Sequence, residues 1–214
     1  MLLLGWLSGM LQATLEGKDA SEAVDPNGKE TIQLCYNLLR MDPSHLSVRE
    51  LLVVSLITTE KFAAAEREAR ILTSLTGSTY YRLLHALMLG RWGKHRQSEP
   101  ILRQLLQEDP ESLLARQLLT TLLLHQSLEN PAALAEARQH LAVLKDKLPS
   151  ENDHQLWMLL TQTAYAGLEG NWGDGEKHLK DAAAIDEDNE DYIALHQFWQ
   201  GFRAPLMPKT TPAP

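Results

Sequence analysis

Apolar residues fall three and four positions apart along most of this chain, in stretches of about a dozen residues that end in breakers, the pattern of successive amphipathic helices. The first clear pair runs from Leu46 to Thr58, apolar at Leu51, Leu52, Val54, Leu56 and Ile57, and, after Glu60 and Lys61, from about Phe62 to Leu75. Ala63, Ala64, Ala65 and Ala69 in the second of these are small, and helices approach closely only where such side chains meet. Further pairs are predicted over Tyr80 to Gly90 and, past a turn at Arg91-Trp92-Gly93, on to Gln107; over Leu113 to His125 and Ala132 to Lys147; and over about Asn152 to Glu169 and, past Gly170-Asn171-Trp172-Gly173, on to Ile185. Pro100 predicts that the helix after Gly93 is kinked or begins only near Ser98. A last helix, about Asn189 to Arg203, carries Tyr192, Leu195, Trp199 and Phe202 at helical spacing. Its acidic start, Glu187, Asp188, Glu190 and Asp191, suits a helix N-terminus.

The breakers themselves repeat. LLRMDPS (38–44), ILTSLTGS (71–78), LLQEDPES (105–112), VLKDKLPS (143–150) and AAIDEDN (183–189) each close a helix, and Pro43, Gly77, Pro110 and Pro149 stand 34, 33 and 39 residues apart. A period near 34 is that of a repeated helix-turn-helix unit. The longer last interval points to an insertion at His125–Ala132, where Asn130-Pro131 reads as an N-cap followed by proline at the first helical position. Pro26 lies 17 residues before Pro43, as Gly93 does before Pro110, so residues 1–28 read as a degenerate first unit, an apolar helix Met1–Leu15 and a loop. No Lys or Arg precedes that apolar run, Gly5, Ser8, Gly9 and Gln12 interrupt it, and it is shorter than the roughly 20 residues that span a bilayer. Packing on the next unit, contact with a membrane surface and self-association are all open to it. The array itself is expected over residues 29–187, a capping helix over 188–203, and a disordered proline-rich tail, APLMPKTTPAP, over 204–214.

Counted back from each closing residue as repeat position 32, Ala65 and Ala137 stand at position 20, Gly93 and Gly170 at position 15, and Phe62 and Trp172 at position 17. In this the chain resembles the tetratricopeptide repeat family, which favours alanine, glycine and an aromatic residue there. Thr31, Ser98 and Gly175 depart from it at position 20. The resemblance covers about residues 29–187 and implies an all-α fold, a superhelical array of antiparallel helix pairs with about four to five repeats plus a C-terminal capping helix. It also implies a groove, lined by the first helix of each pair, that takes a peptide segment or helix of another protein. Carried onto this sequence, the groove candidates are Glu50, Val54 and Thr58; Tyr80, Leu83, Leu87 and Arg91; and Gln117, Thr121 and His125. Trp92, beside Arg91 and Lys94 in a turn, joins them as an exposed aromatic. Family members that grip the acidic end of a chaperone place Lys and Asn where this chain has Glu50/Val54, Leu83/Leu87 and Gln117/Thr121, which disfavours that activity.

Charge and chemistry narrow the function further. With 20 Lys and Arg against 28 Asp and Glu the net charge is −8, which argues against nucleic acid as a partner. The one cysteine, Cys35, cannot form an internal disulfide and falls on the inner face of a helix, where a buried, inert thiol is expected. No two of the eight histidines lie three or four residues apart, and no zinc-protease, nucleophile-elbow or phosphate-loop motif occurs, so no metal, cofactor or catalytic residue is expected. The glycine-rich GLEGNWGDG (167–175) reads as a turn, and Trp157, Trp172 and Trp199 as core or inter-repeat packing. The expected function is that of a cytoplasmic adaptor, assembly factor or chaperone, with the periplasm or the periphery of a membrane complex as the alternative location. The competing reading is a structural subunit docked through Met1–Leu15.

Overall fold

A computed structural model describes residues 28–203; the segment Met1–Leu15, the loop with Pro26 and the tail 204–214 lie outside the described residues. Ten helices follow one another there: α1 (Lys29–Met41), α2 (Leu46–Thr58), α3 (Phe62–Thr76), α4 (Thr79–Arg91), α5 (His95–Glu108), α6 (Leu113–Gln126), α7 (Pro131–Lys147), α8 (Asn152–Leu168), α9 (Trp172–Ala183) and α10 (Glu190–Arg203). No strand occurs among the described residues. Pro100 does not delay α5, which starts at His95 and runs through it.

Local chemistry sets the boundaries. The His45, Ser112 and Asn130 side chains accept the amides of Val48, Ala115 and Ala132 and so start α2, α6 and α7. Three of the turns inside the pairs share one backbone path. The amides of Lys61, Lys94 and Asn171 each donate to a carbonyl five residues back, on Leu56, Leu89 and Ala166, at 2.8 Å, around a left-handed residue. Glycine fills that left-handed place at Gly93 (φ 75°) and Gly170 (φ 76°), but Glu60 (φ 57°) fills it in the first of the three.

The hairpins α2/α3, α4/α5, α6/α7 and α8/α9 stack in order, and one apolar core runs from Ile32 to Trp199. Each hairpin crosses at a small residue of its second helix: Ala65, Ser98, Ala137 and Gly175 are all buried. Ser98 Oγ donates to the Ala86 carbonyl of α4 at 2.7 Å, which satisfies its hydroxyl in the core. Gly175 leaves room for the ring of Trp199 on α10, since a Cβ there would stand 2.1 Å from Trp199 Cη2. The capping helix is thereby seated on α8 and α9.

A second repeated device is an arginine at the first turn of α2, α4 and α6. Arg49 donates to the Pro43 carbonyl and pairs with Glu68 of α3, Arg82 pairs with Glu108 of α5, and Arg116 donates to the Pro110 carbonyl beside His140 of α7. In the last hairpin Gln155 donates to the Ser150 carbonyl instead, at 2.9 Å. The stacking has one irregular joint. Helix α7 has 17 residues where α3 and α5 have 15 and 14, and the turn at 127–130 is one residue longer than those at 59–61 and 92–94, so the extra length expected at His125–Ala132 is shared between turn and helix. Helix α7 makes only sparse contact with α8, which rests on α6 and is bridged to α7 through Arg138, Glu169 and Tyr165.

Two substitutions test these points. Gly175→Ala is expected to unseat Trp199 and cost about 1–3 kcal/mol in urea unfolding, with a red-shifted tryptophan emission; an unchanged midpoint would show that the ring is not held there. Glu60→Gly relieves a left-handed non-glycine residue and is expected to gain about 0.5–1 kcal/mol. A loss of stability on thermal melting would contradict the backbone path given to that turn.

Candidate functional site

The first helix of each hairpin presents the expected groove residues, but neighbouring helices cover many of them. On α2 the row stays accessible: Glu50 and Val54 are half-buried and Thr58 is exposed, its hydroxyl turned to the Ser55 carbonyl at 3.1 Å. Glu50 accepts the hydroxyls of Tyr80 (2.7 Å) and Tyr81 (3.2 Å), tying α2 to α4. Burial first, and then the Glu50 carboxylate, push the Tyr80 hydroxyl far above its usual range, so it acts only as a hydrogen-bond donor. Leu83 and Leu87 on α4, and Gln117 and Thr121 on α6, are buried at 8%, 2%, 1% and 0% exposure. Direct contact of α4 with α6 and of α6 with α8 closes this face, so these four pack the array and are not presented to a partner in this conformation. Gln117 Nε2 and Thr121 Oγ1 have no hydrogen-bond partner among the described residues.

Arg91, Trp92 and His125 lie elsewhere, at the edge where the hairpins turn. Lys94 Nζ stands 3.3 Å from the centroid of the Trp92 ring, a cation–π contact. The rings of His125 and His95 stack with centroids 5.4 Å apart and planes within 12°. Both line an open cleft of about 570 Å³ between the α4–α5 turn, with Lys94 and Arg96, and the α6–α7 turn, with Gln126, Glu129 and Asn130. Burial above all holds His125 down to about 4, with the adjacent His95 ring a minor contributor, and burial also lowers His95, so both are neutral at pH 7. Glu99 on the same wall accepts from Gln126 (2.7 Å) and Arg103 (2.8 Å), which lower its pKa in that order.

Trp92, expected as an exposed aromatic, is half-buried against the core, and His125 stands on the cleft with Lys94, His95 and Arg96, which were not among the expected residues; Leu128 on the adjoining turn is 75% exposed. The signal was the run RWGKHR (91–96), three cations without an acid in a chain of net charge −8. No three His, Cys, Asp or Glu among the described residues are placed to hold a metal. Cys35 is buried, and burial raises its pKa, so the thiol stays protonated and unreactive.

No family model matches this chain, and no curated protein matches it. Solved structures do. A tetratricopeptide repeat protein from Parabacteroides merdae is similar at a TM-score of 0.64 and 15% identity, over 91% of this chain and 70% of that one. YrrB, described as a TPR protein with an unusual peptide-binding site, is similar at 0.52 and 13% identity, over 89% and 88% of the two chains. The fold is that of a tetratricopeptide repeat solenoid. In its terms Ala65 and Ala137 are the small position-20 residues, and Ser98 and Gly175, departures from the usual alanine, serve the same crossing.

The buried histidines make stability depend on pH. An imidazole held down near 4, as at His125, takes up no proton until then, whereas the unfolded chain takes one up near 6.5; the stabilisation is whole above that value and is lost as pH falls through the window. Burial lowers His85, His95 and His140 too, and they act in the same direction. His125→Asn is expected to recover roughly 2–3 kcal/mol of the loss between pH 7 and 4. Parallel melting curves for variant and parent across that range would refute the assignment.

Proposed function

We propose that this chain is a protein-interaction module that holds a segment of a partner protein, as an adaptor, assembly factor or chaperone, and that it is not an enzyme. The observation that carries the reading is the accessible row Glu50, Val54 and Thr58 on α2, which stays open where Leu83 and Leu87 of α4 and Gln117 and Thr121 of α6, at the places of Glu50 and Val54, are buried. A tetratricopeptide solenoid with such a face is suited to take a helix or an extended peptide. The structural neighbour named for its peptide-binding site supports the same class of function. No helix among the described residues is long and apolar enough to cross a membrane, and the net charge of −8 speaks against a nucleic-acid partner. A cytoplasmic location fits the single, buried cysteine. The second reading, a structural subunit of a membrane-associated complex, is favoured by the apolar composition of Met1–Leu15.

Co-purification from the native host, with the intact chain and with Thr58→Arg and Val54→Arg, tests the proposal. A specific protein should be retained by the parent and reduced about tenfold or more by either variant at unchanged helicity. Retention of nothing, or equal retention by all three, would refute it. A partner lost only when residues 1–16 are removed would favour the subunit reading.

A further inference from the structure

Several cations of this protein are neutralised within the fold. Arg49, Arg82, Arg103, Arg138 and Lys147 all face a carboxylate. Lys94 and Arg96 do not, and they stand two residues apart on one turn. Neither has an ion-pair partner among the described residues, and both line the cleft at the turn edge. Lys94 is held in place by the Trp92 ring, 3.3 Å away, and so is positioned without being neutralised. The histidines on the cleft wall are uncharged at pH 7, so they add hydrogen-bonding surface but no charge of their own. Glu99 is already paired with Arg103, which leaves Glu129 as the one carboxylate of the lining without a pairing among the described residues. An apolar side chain, Leu128, stands 75% exposed on the adjoining turn.

We propose that the cleft between the α4–α5 and α6–α7 turns binds an acidic segment of a partner polypeptide, with Lys94 and Arg96 taking its carboxylates and Leu128, on the adjoining turn, an apolar residue. This rests on the reading of the chain as a polypeptide-binding module, and adds a site apart from the α2 face together with the charge of what fills it. A short acidic peptide fits better than a nucleic acid. The cationic patch is small, and a long polyanion would run onto a surface that is acidic overall, with a net charge of −8.

The test uses the intact chain and fluorescein-labelled, capped ten-residue peptides that contain one Leu and either four Glu, four Gln or four Lys, with a labelled oligothymidine as a further probe. The Glu peptide should bind at least tenfold tighter than the Gln peptide and weaken at least tenfold between 50 and 300 mM salt. It should lose at least tenfold in Lys94→Glu/Arg96→Glu, and less in Lys94→Gln/Arg96→Gln, with helicity and melting unchanged. Its addition should shift the ring resonances of His95 and His125. Equal binding of the Glu and Gln peptides, insensitivity to both double variants, or preference for the oligothymidine would each overturn the proposal. Thr58→Arg separates the two claims. A native partner lost in Thr58→Arg while the Glu peptide ignores the charge reversals removes the cleft and leaves the α2 face standing.

Discussion

The whole array depends on how closely the two helices of each hairpin can cross. Interaxial distance is set by the side chains at the crossing, and here the second helix offers Ala65, Ser98, Ala137 or Gly175, none with more than two side-chain heavy atoms. A larger residue would hold the pair apart and open voids beneath Leu52, Leu84, Leu119 and Leu160, which are all buried within the core. Each member of the set solves the crossing differently. Alanine simply fits; Ser98 brings a polar group that is admissible only because the Ala86 carbonyl takes its proton at 2.7 Å. Gly175 goes further and admits a ring from a third helix, so the last hairpin and the capping helix interlock through Trp199. The end of the solenoid is thus sealed by the same position that sets the spacing inside it.

That spacing also decides how much of the inner face remains for a partner. In the middle hairpins, first helices touch one another directly, α4 on α6 and α6 on α8, and their inner residues become core. At the α7–α8 joint the usual contact between a second helix and the next first helix is sparse, while α8 leans on α6 and buries Gln117 and Thr121 there. The joint is bridged by the exposed Arg138 and Glu169 pair, a kind of contact that contributes at most about 1 kcal/mol. Accessible inner surface is therefore concentrated on α2, and accessible chemistry of another kind on the turn edge.

The helices and their order were legible because they are local. Leu46–Thr58 and the start at Phe62 follow directly from apolar spacing and the polar break at Glu60-Lys61, and Asn130-Pro131 announced the cap that starts α7. The closing of the inner face was not legible in the same way, because it depends on the placement of neighbouring hairpins and not on any one helix. Yet a trace existed. LLARQLLTTLLLHQ, the α6 sequence, is apolar nearly all round, and a helix of that kind is covered on all sides. Gln117 and Thr121 were assigned to the groove by position within the repeat, when the Leu residues around them already argued for burial. The arginine staples had a signal as well: DPSHLSVR (42–49) and DPESLLAR (109–116) share D-P-x-x-L-x-x-R, which joins the breaker to the guanidinium that returns to its carbonyl.

Freedom to carry function is greatest where the backbone is fixed without help from side chains. In three of the hairpins the turn path is held by the 2.8 Å bonds from Lys61, Lys94 and Asn171 to Leu56, Leu89 and Ala166, and by one left-handed residue. The side chains at the other turn positions do not set that path, and they differ: Thr59 and Lys61, Trp92 and Lys94, Glu169 and Asn171 occupy equivalent places. The crossing positions cannot vary in this way without moving helices apart. A repeat protein can therefore carry charge at its turn edge at little cost to the stack, and the cationic run between Arg91 and Arg96 stands at such an edge.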